Sequence, residues 1–222
     1  MPEIRSQDVS VSLLKANDAV AEEIQKFFNQ NNIFGVNILS APGSGKTMLL
    51  EKLVERLPKD RVNVLVGDLE TERDAERIRR HGVTSFQIIT SGACHLEAVM
   101  IKQALGLLKL PLDYLFIENV GNMVCPASYK LGEHLRFALL STPEGDDKVL
   151  KYPKLFLAAD ALIINKTDLA PYLPFDIERV KEEAVKVNPN IKIFAVSALK
   201  EDGIGAIAEF IQLKRKLLFS GA

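Results

Sequence analysis

Cysteine and histidine are scarce in this chain, two and three respectively among 222 residues, and tryptophan is absent. Two thiols cannot supply the disulfide framework of a small secreted scaffold. No apolar run approaches the roughly 18 residues that would read as a membrane span. The opening "MPEIRSQDVSVS" lacks the apolar core of an export signal. Neither sign of charge is in excess: 28 Lys+Arg against 29 Asp+Glu leave a net charge of −1. That excludes the basic footprint of a nucleic-acid or anionic-membrane binder. Internal repeats, low-complexity tracts and linkers are also missing. Together these absences predict a cytoplasmic protein whose thiols stay reduced, with a Cys94–Cys125 disulfide as the weaker alternative.

What is present is a large apolar fraction, 47% of residues, enough for a core in one domain. Residues 13–32 read as an amphipathic helix, with Leu13, Ala16, Val20, Ile24 and Phe27 on the face that covers the edge of a core. Beyond it, strand-like runs at 35–40, 62–67, 85–90, 113–118, 137–141, 161–165 and 191–197 alternate with helical patterns. The helices are placed at 45–57, 74–82, 95–108, 176–187 and 204–219. Near-continuous apolar strands interleaved with helices predict an α/β fold with a mostly parallel sheet flanked by helices.

"SAPGSGKT" (40–47) sits between a strand and a helix, the context a P-loop requires. Gly43 and Gly45 permit the tight path. The amides from Gly43 through Ser44, Gly45, Lys46, Thr47 and Met48 then face phosphate oxygens at a helix N-terminus. Lys46 would bridge the β- and γ-phosphates, and Thr47 would offer its hydroxyl to Mg²⁺. The first position, normally glycine, is Ser40. "NKTD" (165–168) follows another apolar run. The Asp168 carboxylate suits the two donors on the Watson–Crick edge of guanine, whereas adenine would leave it unpaired. Asn165 would tie this loop to the P-loop and the Lys166 stem would cover the base. In "VSALK" (196–200), Ser197, Ala198 and Leu199 follow the next strand, and an amide near Ala198 could reach guanine O6. This order of motifs predicts a GTP-binding protein, one GTPase domain over 1–222. Residues 1–34 form a helical extension and 35–219 the G domain.

Asp68 in "VGDLET" and Glu118 in "FIENVG" end strands, where open α/β sheets bind ligands, and are candidates to hold Mg²⁺ or its waters. "ENVG" stands where small GTPases carry Asp-x-x-Gly, so the Gly121 amide would sense the γ-phosphate and the loop after it would move on hydrolysis. The P-loop lacks an obvious arginine finger nearby, which predicts slow turnover. Cys125 follows that loop, and Cys94 with His95 opens the helix after the strand at 85–90. Consecutive parallel strands could bring the two loops together. Two thiolates and an imidazole suit Zn²⁺ or Ni²⁺, but three ligands do not close a structural zinc site. The bland alternative is packed core cysteines.

The order "APGSGKT", "GDLETERDAERI", "GACHLEA", "FIENVGNMVCPA", "EGDDKVLKYPKLF", "NKTDL" closely resembles the hydrogenase nickel-incorporation GTPases (HypB). These belong to the signal-recognition and MinD-type group of P-loop GTPases. The resemblance implies slow GTP hydrolysis to GDP, a homodimer formed on GTP binding, and a metal site between subunits built from Cys94, His95 and Cys125. It implies a HypA-type nickel/zinc accessory protein and the hydrogenase large subunit as partners, with no nucleic acid or membrane. It also brings forward Lys148 in "EGDDKVLKYP", whose counterpart is implied to act near the nucleotide from across the dimer. Many bacterial members carry an N-terminal cysteine motif or histidine-rich tract, but residues 1–34 here hold no Cys or His, so no N-terminal nickel store is expected. A urease- or cobalamin-type chaperone is the nearest rival. Urease-type relatives usually carry Cys-Pro-His, where this chain has Cys125-Pro126-Ala127. A GTP-dependent dimerisation module without metal is the rival from another class.

Overall fold

Seven apolar segments form one sheet in the computed structural model, which describes residues 6–68 and 73–220, with side chains from Ser12 onward. The strands are β1 (Phe34–Ser40), β2 (Val62–Asp68), β3 (Thr84–Ile89), β4 (Tyr114–Glu118), β5 (Leu135–Ser141), β6 (Ala161–Asn165) and β7 (Lys192–Ala195). Their order is β3-β2-β4-β1-β5-β6-β7, and every neighbouring pair is parallel. Parallel neighbours need crossovers, and helices α2 (Lys46–Val54), α3 (Arg73–Arg79), α4 (Ala98–Ala104), α5 (Lys148–Lys151), α6 (Pro153–Leu157) and α7 (Ile177–Val187) lie on them, while α1 (Ser6–Gln30) precedes the sheet and α8 (Ile204–Phe219) follows it.

The pleat sends alternate residues to opposite faces, so each strand feeds two cores. Val36, Ile38, Phe116, Phe137 and Ile163 pack with residues of α2, α3 and α8. On the other face Leu39, Ala138, Leu140 and Leu162 meet α5, α6 and α7, while Leu65, Leu115 and Ile117 meet α1 and α4.

Helix α1 packs Ile24, and in part Val20 and Phe27, on the core as expected, but its face is rotated at the N-terminal end. Leu13 is 58% exposed and Ala16 is exposed, while Asn17, Ala21, Ile24 and Phe28 form the buried face. The helix lies over the sheet beside α4 rather than at a core edge. A buried asparagine is tolerated there because both ends of its amide are used. Asn17 Nδ2 donates to the Lys130 carbonyl at 2.8 Å, and its Oδ1 accepts the Ala98 N–H, also at 2.8 Å, at the start of α4. Pattern reading favours apolar residues at that position and so rotates the face. The other elements fall close to their expected places. The helix expected over 95–108 begins only at Ala98, leaving Cys94, His95 and Glu97 in the preceding loop. The short helices α5 and α6 have too few turns to show a periodicity.

The strands adjoining β1 run in opposite sequence directions across the sheet, which opens a crevice at the carboxyl ends. Ser40, Asp68, Glu118 and Asn165 all end strands on that rim.

Candidate functional site

A cleft of roughly 660 Å³ lies on this rim. Its floor is the loop between β1 and α2. Gly43 and Gly45 have φ of 75° and 96°, in the left-handed region. At Gly45 a Cβ would also sit 2.6 Å from Asn165 Nδ2, so the position is closed to side chains twice over. Gly45 caps α2 without a side-chain hydrogen bond, leaving first-turn amides open to a ligand.

Lys46 is buried and donates from Nζ to Ser40 Oγ at 2.9 Å. Ser44 Oγ donates to the same oxygen at 2.5 Å. The serine at the unusual first position therefore holds the lysine and the loop together. Burial pushes the Lys46 ammonium below its ordinary range, opposed first by Glu118 and then by Asp74.

Thr47 Oγ1 donates to Glu118 Oε1 at 2.9 Å, while Glu118 Oε2 is buried with no partner. Burial raises the Glu118 carboxyl to about 7, with Lys46 and the Thr47 hydroxyl pulling it back. A buried acid with one orphaned oxygen beside a threonine hydroxyl fits a hard cation. Asp68 lines the cleft next to them.

At the other end Asn165 Nδ2 donates to the Ser44 carbonyl at 3.0 Å, the expected tie between the two loops. Lys166 has φ 60° and donates to the Gly43 carbonyl at 2.6 Å. Asp168 lines the cleft and accepts Ser197 Oγ–H at 2.5 Å. Met48, Gly121, Ala198 and Leu199 line it too. The Ala198 amide donates to Asn165 Oδ1 at 3.1 Å. That bond joins the two motif loops before any ligand arrives.

Cys94, His95 and Cys125 form the second feature: their ligand atoms all lie within 4.8 Å of one another. Both thiols are free, Cys94 exposed and Cys125 half-buried. Cys94 Sγ is 3.6 Å from His95 Nδ1. The neighbouring Cys94 thiol, then burial, push the Cys125 thiol up, while the Asn122 amide lowers it. Burial lowers the His95 imidazole, opposed by Glu97.

The two loops do not meet because their strands are neighbours, for β2 lies between β3 and β4. The loop after β3 crosses the end of β2. Gly67 permits the crossing, since a Cβ there would lie 2.7 Å from the Leu96 side chain. Asn119 Oδ1 then accepts the Leu96 N–H at 3.2 Å.

Residues 35–195 match the family model described as CobW/HypB/UreG, nucleotide-binding domain. The hydrogenase/urease maturation factor HypB of Helicobacter hepaticus is 44% identical over 221 residues, 96% of this chain and 91% of that protein. The chain belongs to the HypB family. A crystal structure of HypB from Helicobacter pylori in complex with nickel superposes with a TM-score of 0.87 at 43% identity, covering 91% of this chain and 96% of that one. HypB from Archaeoglobus fulgidus gives 0.82 at 36% identity, covering 92% and 99%.

Set against the HypB motifs, two cleft residues escaped the sequence reading. Asp74 and Arg77, on α3, both line the cleft. Arg77 brings an arginine to the cleft, though not a free one. Glu51 engages it twice, at 2.9 and 2.8 Å. The signal was an Asp-x-x-Arg pair on the helix following Asp68, indistinguishable by sequence from a solvated face. Lys148 does not line this cleft. It pairs with Asp147 and borders a smaller hollow of roughly 330 Å³ with Ala41, Pro42, Gly121, Val124 and Glu144.

Proposed function

We propose that this HypB-family chain is a GTP-binding, GTP-hydrolysing metallochaperone that delivers nickel during maturation of a nickel enzyme, the [NiFe]-hydrogenase in the leading reading. One observation carries the proposal. The strand-end segment 118–125 contributes Glu118 and Gly121 to the nucleotide cleft and Cys125 to the thiol cluster. A single short segment thus serves two ligands of different chemistry.

In this reading the amides of Gly43 to Met48 cradle the phosphates, and Lys46 leaves Ser40 for the β- and γ-phosphate oxygens. Thr47, Asp68 and Glu118 hold Mg²⁺, which when bound neutralises charge on the β- and γ-phosphates. Asp168, oriented by Ser197, selects guanine; Lys166 covers the base; Ala198 and Leu199 close over it. Gly121 senses the γ-phosphate. Turnover is slow, because Arg77 is engaged by Glu51 rather than free to meet developing charge.

Cys94, His95 and Cys125 hold Ni²⁺, with Zn²⁺ as the competing ion. Three ligands leave the site open, and a second copy completes it in a GTP-dependent homodimer. In this reading Lys148, which lies outside its own cleft, acts on the nucleotide across that dimer. The partners are a HypA-type nickel/zinc accessory protein and the large subunit of the hydrogenase. The chain acts as one GTPase unit with α1 packed onto it, in the cytoplasm. Among the described residues no helix is long and apolar enough to cross a membrane.

The test is metal content, Ni²⁺ affinity and oligomeric state with GDP and with a non-hydrolysable GTP analogue, beside Cys94→Ala and Cys125→Ala. Nickel retained by both variants would refute the site. A second reading, delivery to urease as well, is favoured by the name of the Helicobacter hepaticus relative, a hydrogenase/urease maturation factor. Activation of each purified apo-enzyme separates the two.

A further inference from the structure

We propose that Glu97 is a positioning residue for metal binding: it takes the Nε2–H of His95 and thereby presents Nδ1 to the ion beside the two thiolates. The proposal rests on the reading of Cys94, His95 and Cys125 as the nickel or zinc site.

The imidazole of His95 has two distinct sides. Nδ1 faces the Cys94 sulfur at 3.6 Å. Nε2 points away into protein, where it is buried and has no hydrogen-bond partner. The nearest anion to it is Glu97 Oε1, at 3.6 Å. The ring is also held in plane, because Tyr129 packs against it with centroids 3.9 Å apart and a tilt of 33°. A half-turn of the ring would put the carbon Cδ2 where Nδ1 now faces the Cys94 sulfur.

A neutral imidazole that binds a metal through one nitrogen carries its proton on the other, and that N–H needs an acceptor. Here the proton falls on the buried Nε2, where an unpaired donor is unfavourable. Glu97 is suited to receive it. It precedes α4 but its side chain makes no capping hydrogen bond. Its carboxylate has no other hydrogen bond or ion pair among the described residues, and its side chain is 43% exposed and free to rotate. A small rotation brings Oε1 into hydrogen-bond range. The carboxylate then fixes the tautomer, strengthens Nδ1 as a donor and adds negative charge near the ion.

The test uses the full chain with a fixed nucleotide, titrated with Zn²⁺ and Ni²⁺, in wild-type, Glu97→Gln and Glu97→Ala forms. Glu97→Ala is expected to weaken binding by about 10- to 100-fold, the usual effect of losing an outer partner of a ligating histidine. Glu97→Gln keeps an acceptor oxygen and is expected to retain most of the affinity. In the zinc-loaded wild type, long-range ¹H–¹⁵N correlations of the imidazole are expected to place the metal on Nδ1 and the proton on Nε2 of His95. Metal on Nε2, equal affinity in all three forms, or equal losses in the Gln and Ala variants each overturn the proposal while leaving the metal site standing. Wild-type protein that binds neither ion overturns the underlying reading and the proposal with it.

Discussion

The side-chain amide of Asn122 lies 3.4 Å from the carbonyl oxygen of Cys94. Its Oδ1 accepts the Val124 N–H at 2.8 Å, and its amide also faces the Cys125 thiol. One asparagine, next in sequence to Gly121, thus touches both cysteine loops. Asn122→Ala is expected to shrink the dependence of Ni²⁺ affinity on nucleotide. In the wild type that dependence is expected at about 5- to 150-fold between GDP and GTP-analogue forms, and nickel must alter nucleotide affinity by the same factor. Titration of both proteins in the apo, GDP and GTP-analogue states is the measurement. Equal wild-type affinity in all three would remove the coupling. An unchanged ratio in Asn122→Ala would remove this residue from it.

Asp168→Asn is expected to shift preference from GTP toward xanthosine triphosphate, because an amide donor then meets the C2 carbonyl of xanthine. Ser197→Ala should be milder: it removes the 2.5 Å hydrogen bond that orients the carboxylate but leaves the charge. The loss is about 1.5–3 kcal/mol of GTP affinity at most, the range for a hydrogen bond to a charged group. Competition binding with the two nucleotides measures both. Unaltered GTP affinity in Asp168→Asn would sink the base assignment.

Glu118 makes nucleotide-free stability depend on pH. Its folded-state value of about 7 lies above the ordinary 4.5, so between these values the folded protein keeps a proton that the unfolded chain has released. This group therefore lowers stability progressively as pH rises from about 4.5 to 7, and no further above that. Ligation of Mg²⁺ demands the ionised form. Binding of Mg²⁺–GDP near pH 6 is expected to release up to one proton, and near pH 8 almost none. Calorimetry in buffers of different ionisation enthalpy reads this directly. Glu118→Gln should abolish the release, and proton release that persists in it would assign the effect elsewhere.

Gly67→Ala is expected to weaken metal binding through packing. The new Cβ would meet the Leu96 side chain at 2.7 Å, where the loop carrying Cys94 and His95 crosses β2. Overpacking of this kind costs about 1–3 kcal/mol. Denaturant unfolding together with Zn²⁺ titration measures the two effects. Full stability with wild-type zinc affinity would show that the loop adjusts without cost.

Much of the rim was legible beforehand. The P-loop and the Asn165–Asp168 turn are contiguous, and their residue types fix local backbone paths, so the sequence read out their cleft-lining positions. Strand-end acids such as Asp68 and Glu118 were legible from the apolar runs before them. Asp74 and Arg77 were not, because only the packing of α3 turns that face toward the cleft. The expected face of α1 holds at Val20, Ile24 and Phe27 but not at Leu13 and Ala16, because Asn17 is buried by partners distant in sequence, the Lys130 carbonyl and the Ala98 amide. The tie from the Ala198 amide to Asn165 joins two loops distant in sequence and leaves no local signal.

By itself the amino-acid order determined the alternation of strands and helices and the two nucleotide motifs. Each depends on neighbours within one turn or one strand, and such interactions are local. Only the tertiary structure decided that Cys94 and His95 meet Cys125. The strands that carry them are separated by β2. Their loops converge because Gly67 leaves room for Leu96 to cross and Asn119 accepts its amide. That convergence depends on strand order and on a missing side chain in a third strand, neither of which is written in the spacing of the three residues.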